Sequence, residues 1–142
     1  MAFKPDLFLV TAQALLKRAS SEADFRTVAG RAYYAAYGYM RQQICFHKNV
    51  TPQKMFGRSG RHTDVAKATV GSGSFKKITQ PYNSLRVLRT TSDYIYTGDV
   101  SKADAEGAVN DATWILRELR RLSSSDFKNF PLTPPQEKGA TP

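Results

Sequence analysis

Apolar side chains recur at helical spacing along most of the chain, and their pattern predicts helices and no strands. Leu7, Val10, Ala14, Leu15 and Ala19 mark a first helix over residues 6–19, just after Pro5. Ser21 and Asp24 form a capping-box signal ahead of a long second helix over 22–47, whose stripe includes Phe25, Val28, Ala32, Tyr33, Ala36, Tyr37, Met40 and Ile44. The alanines and glycines of this helix let a neighbour approach closely while the tyrosine rings fill the wider gaps, so it is expected to be the buried centre. From Asn49 to Gly60 the period dissolves into a basic loop, and residues 61–70 resume it with Val65, Ala66 and Thr69 facing inward. Gly71 to Ser74 reads as a turn. The next helix begins at Phe75 or Tyr82, because Pro81 is tolerated only in a first turn, and runs to Tyr96 with Leu85, Leu88 and Ile95 inward. Ser101 and Asp104 open a last helix carrying Ala105, Ala108, Val109, Ala112, Ile115, Leu116, Leu119 and Leu122. Beyond it the period is lost and prolines accumulate, so 124–142 reads as a flexible tail that docks, if at all, through Phe127, Phe130 and Leu132. The pattern as a whole predicts an all-α fold, an antiparallel up-and-down bundle of four to five helices over residues 1–123.

Length and composition are consistent with one core: 142 residues, of which 41% are hydrophobic. No apolar run reaches the roughly 18 residues of a membrane span, and the first ten residues lack the pattern of a secretory signal. One cysteine, Cys45, cannot form an internal disulfide or share a zinc site with a second cysteine. The expectation is a cytoplasmic protein without membrane contact.

Charge changes the picture more. The net charge is +9, and residues 48–89 hold nine Lys or Arg against one acid, Asp64. A positive field concentrated in the middle third favours a polyanion, so RNA or a nucleotide phosphate is the expected partner. The candidates for phosphate contact are Arg31, Arg58, Arg61, Lys76, Lys77, Arg86 and Arg89; the alternative for Arg31 is a buried cation paired with Asp24 or Asp93. Arg89 and Asp93 have the spacing of an intrahelical ion pair. Two histidines are present. His47 follows Arg41 after five intervening residues at the end of the second helix, and His62 stands at the start of a short helix directly after Arg61. Arg41, His47 and His62 are therefore the candidates for acid–base chemistry, against the alternatives of a helix-end histidine and a locally bonded one. No phosphate loop, zinc spacing, carboxylate pair or Ser-His-Asp set occurs, and no cofactor or metal is expected.

The segment Arg31-Ala32-Tyr33-Tyr34-Ala35-Ala36-Tyr37 resembles the RAYYA signature of bacterial HEPN proteins. His62-Thr63-Asp64-Val65 resembles the HxxV that opens that family's next helix, and Leu88 to Tyr94 resembles its LRxxxDY. The ordered match spans about residues 6–122. It implies a helical bundle that forms homodimers, in defence or toxin–antitoxin modules, often beside a nucleotidyltransferase. Many relatives are metal-independent ribonucleases that use an Arg followed four to six residues later by His, and Arg89 occupies the family's arginine position. This chain has no histidine after Arg89. Two functions follow: an RNA-binding or RNA-cleaving protein, or a catalytically silent adaptor or antitoxin that binds a nucleotidyltransferase or another protein.

Overall fold

In a computed structural model, residues 3–136 are described, and they form seven α-helices and one 3-10 helix without strands. The helices are α1 (Leu7–Arg18), α2 (Glu22–Lys48), α3 (Pro52–Phe56), α4 (His62–Val70), α5 (Thr79–Tyr94), α6 (Lys102–Arg120) and α7 (Ser124–Lys128), with the 3-10 helix at Gly73–Ile78. The all-α expectation is met, and the four long helices α1, α2, α5 and α6 make up the bundle.

Helix α2 is its centre, in contact with α1, α5, α6, α7 and α3. Val28, Ala29, Ala32, Tyr33, Ala35, Ala36, Met40 and Ile44 are fully buried. Each large side chain among them contributes about 1.5–3 kcal/mol, which outweighs the roughly 1 kcal/mol that a glycine such as Gly30 costs the helix. Gly38 is a point of close approach, since a Cβ there would fall 2.5 Å from the Cβ of Pro5. Ser21 caps α2 by accepting from the Asp24 amide, while the Asp24 carboxylate turns back to the amide of Ser20. At the other end Asn49 adopts the left-handed conformation with φ 53°. Ser101 and Asp104 complete a reciprocal capping box on α6.

Three elements depart from the expected pattern. Within the supposed loop 49–60, Thr51 caps α3 with Pro52 in its first turn, and α3 buries Met55 and Phe56. The glycine-rich turn continues into the 3-10 helix, which buries Phe75 and Ile78, and α5 starts at Thr79 with Pro81 in its first turn. The expected tail is a tail only in part. Ser123 and Asp126 form a further capping box on α7, and Phe127, Phe130 and Leu132 are buried. Phe75 packs edge-on against Phe127 and Phe130, with centroids at 5.4 and 4.6 Å. Residues 137–142, the rest of that segment, lie outside the described residues.

No helix among the described residues is long and apolar enough to cross a membrane.

Candidate functional site

Tyr37 lies one turn beyond the adjacent Tyr33 and Tyr34 on α2, on the side that packs against α5. His62, the first residue of α4, packs into this aromatic face. Its ring centroid is 4.4 Å from that of Tyr37 and 5.6 Å from that of Tyr33, and its Nδ1 lies 2.6 Å from the Tyr33 hydroxyl. The Tyr37 hydroxyl donates to the Gly60 carbonyl at 2.5 Å and so fixes the turn that leads into α4. Arg89, on α5, reaches the same face from the other side. Its guanidinium donates to the Tyr34 hydroxyl at 2.6 Å and lies over the rings of Tyr33, Tyr34 and Tyr94. Arg89 and His62, on different helices, therefore share Tyr33 and Tyr34 as neighbours.

The environment sets the proton positions. Burial pushes the Tyr33 phenol far above its ordinary range and that of Tyr37 up to about 12, so both keep their protons at neutral pH. His62 is shifted the other way: burial, then the charges of Arg89, Arg41 and Arg86, hold its imidazole below the usual histidine range and keep it neutral. The Tyr33 hydroxyl and Nδ1 of His62 share one hydrogen bond, in which Tyr33 is the donor for the tautomer protonated on Nε2. That nitrogen lies beside Gly60, where a Cβ would sit 2.8 Å from it and 2.8 Å from the Tyr37 hydroxyl.

Beside it is a recess of about 260 Å3 lined by Ser59, Arg61, His62, Thr63 and Asp64. It lies at the N-terminus of α4, which has no side-chain cap, so its first amides retain free donors. An imidazole N–H, uncapped helix amides and the field of three arginines suit an anion such as a phosphate oxygen.

The structure brings together Arg41, His62, Arg86 and Arg89, and separates the rest. Arg41 lies over the Phe56 ring at 5.4 Å, and its buried Nε has no hydrogen-bond partner. It does not meet His47. Helix α2 runs unbroken through both residues, and six residues of regular helix turn one side chain about 120° from the other. His47 instead stacks on Phe127 at 5.7 Å, beside a bond from Lys48 to the Lys128 carbonyl, and so serves the docking of the C-terminal segment. Arg61 is also structural: it pairs with Asp64 at 2.9 Å and donates to the carbonyls of Met55 and Thr133. Arg31 is exposed over Phe8 and is paired with neither Asp24 nor Asp93. Arg58, Lys76 and Lys77 are exposed outside the cluster.

The Arg89 side chain is 11% exposed. The expected ion pair with Asp93 is present at 3.1 Å, but off the line of the N–H, so the buried Nε lacks an acceptor. Arg89 therefore orders the tyrosines and supplies positive potential to His62, while Arg86 is the more accessible cation. Sequence reasoning treated Tyr33 and Tyr37 as core alone. A polar tip on a buried ring needs a partner, and their hydroxyls were the available signal.

Among the described residues no group of three or more His, Cys, Asp or Glu is placed to hold a metal. Comparison with protein-family models, curated proteins and solved structures finds no match to this chain.

Proposed function

We propose that this chain is an RNA-associated protein of the HEPN type, acting in a bacterial defence or toxin–antitoxin module, and that it binds a backbone phosphate at the start of α4. The geometry that carries this reading is His62, hydrogen-bonded through Nδ1 to Tyr33 at the uncapped start of α4 and near Arg41, Arg86 and Arg89; with Tyr33 as the donor, its proton is on Nε2. Phosphate oxygens accept from such donors, and the basic segment 48–89 raises the encounter rate with the polyanion. The HEPN resemblance and the expected homodimer agree with it.

The same proton argues for binding over cleavage near neutral pH. A ring that donates from Nε2 cannot take the proton of a ribose 2′-hydroxyl at that atom. Metal-independent cleavage requires the other tautomer or the imidazolium, so it is expected to be slow and to involve His62 rather than His47.

Titration with single-stranded RNA at several salt concentrations, in chelator, tests the reading. Binding should weaken linearly with log salt, His62→Ala and Arg86→Ala should weaken it further, and His47→Ala should leave it unchanged. RNA affinity independent of His62 would remove the phosphate site.

The enclosure of Arg89 favours the second reading, a silent adaptor whose partner is a nucleotidyltransferase or another protein. A stable complex with the product of a neighbouring gene, without RNA binding, would select it.

A further inference from the structure

A larger groove adjoins the recess at His62. It lies between α4 and α5 and has a volume of about 550 Å3, the size range of small-molecule and cofactor sites. Thr63 lines both the groove and the recess, which therefore adjoin at the first turn of α4. One wall is apolar: Ala66, and Val70, which is 65% exposed with nothing covering it. The other carries the amides of Gln80 and Asn83. Asn83 Oδ1 already accepts from Arg86 at 2.9 Å, which directs its amide donors elsewhere. The Thr79 hydroxyl on the floor is buried and has no partner in the protein. Lys67 and Arg86 are the charged residues lining the groove, and no acid lines it.

An apolar wall facing amides, with cations at the margin, fits the face, polar edge and adjoining phosphate of a nucleotide. The geometry points to a nucleoside subsite: the nucleotide next to the phosphate held at His62 lays its base in the α4–α5 groove. This rests on the phosphate reading above and favours single-stranded RNA as the ligand, because a paired base must first give up its pairing and stacking to enter the groove.

The full-length protein is titrated with a single-stranded RNA, an abasic ribose–phosphate oligomer of the same length, and the same RNA annealed to its complement. Three variants accompany it. Ser84→Trp fills the groove from an exposed position, Val70→Glu places a repelling charge on its wall, and His62→Ala removes the phosphate donor. The wild type should prefer single-stranded RNA over the abasic oligomer by about tenfold, the scale of one well-seated base, and should disfavour the duplex. Both groove variants should abolish that preference with helical content unchanged, whereas His62→Ala should weaken both single-stranded ligands equally and keep their ratio. Equal wild-type affinity for RNA and abasic oligomer, tighter binding of duplex, or a preference that survives both groove variants would overturn the subsite. If the groove variants abolish the preference while His62→Ala changes neither affinity, the groove stands and the phosphate site falls.

Discussion

The Tyr33 hydroxyl and Nδ1 of His62 are hydrogen-bonded at 2.6 Å, tying the middle of α2 to the first residue of α4, and with Tyr33 as the donor the imidazole proton lies on Nε2. Tyr33→Phe keeps the ring and its packing and removes that donor. An unmet buried acceptor costs about 1–3 kcal/mol, and a loss of about 1–2 kcal/mol in urea unfolding is expected. Nitrogen chemical shifts of the His62 ring should change from one tautomer, protonated on Nε2, to a mixture. A single Nε2-protonated form that persists in the variant would show that Tyr33 does not set it.

Acid should weaken the fold through the same residue. The His62 imidazole is held below the usual histidine range by burial and by Arg89, Arg41 and Arg86, so the unfolded chain takes up this proton first as pH falls. The stabilisation is complete above about pH 6.5, the ordinary histidine value, and is lost as pH falls through the lower folded value. His62→Gln has no proton to gain. The stability difference between wild type and this variant, measured from about pH 7 to 5, should shift against the wild type as acid is added. A pH-independent difference would mean that the folded and unfolded chains titrate alike here.

The long helices were legible because their apolar stripes repeat over many turns, and their ends follow from Ser21, Ser101 and Asn49. The short elements were not, because α3 and α7 are each about one turn and owe their helicity to what they bury. For α7 a local signal was available: Ser123 and Asp126 repeat the spacing of Ser101 and Asp104, but the prolines that follow outweighed it. The site divides in the same way. Charge density and the isolated candidates His62 and Arg89 could be read from the chain, but their meeting through α2 tyrosines is a tertiary fact. Nor could composition show that Arg61 is committed to Met55, Asp64 and Thr133.

The docked C-terminal segment gives a direct test of that misjudged tail. Phe130 is 1% exposed and packs on Phe75. Phe130→Ala should cost about 3–5 kcal/mol in denaturant unfolding, the usual range for a buried phenylalanine. Truncation after Leu122 should cost at least as much and expose Phe75. An unaltered midpoint after removal of 123–142 would restore the flexible-tail description.

Arg26 closes the end of α5. Its guanidinium donates to the carbonyls of Thr91, Ser92 and Ile95 at 2.8, 3.1 and 3.2 Å and also to Gly98, while its Nε pairs with Glu22 at 3.0 Å. The Thr91 carbonyl also accepts from the Ile95 amide, while those of Ser92, Ile95 and Gly98 lie at or beyond the end of the helix. Arg26→Met keeps the stem and removes the donors, with an expected loss of about 2–3 kcal/mol; Arg26→Lys should recover less than half, because an ammonium lacks the planar fork. Amide exchange should accelerate in the last turn of α5 and in Ile95–Val100 before it does elsewhere. Full stability in both variants would mean that water caps this end equally well.

Gly60 joins the fold to the site more tightly than any other single position. Its φ of +73° is one that L side chains rarely adopt, and a Cβ there would stand 2.8 Å from both Nε2 of His62 and the Tyr37 hydroxyl. Gly60→Ala therefore carries backbone strain as well as a collision, and a loss of about 1–3 kcal/mol is expected. The methyl would also cover the Nε2 proton, so RNA affinity should fall further than the fraction unfolded explains. Gly57 provides the control, with a φ of +58° but nothing within 4 Å of its added Cβ. With ψ −156° as well, Gly57 stands in a region open essentially to glycine alone, so Gly57→Ala should lose stability through backbone strain yet bind RNA normally once folded. If the folded fractions of the two variants bind RNA equally, the space beside His62 does not serve the ligand.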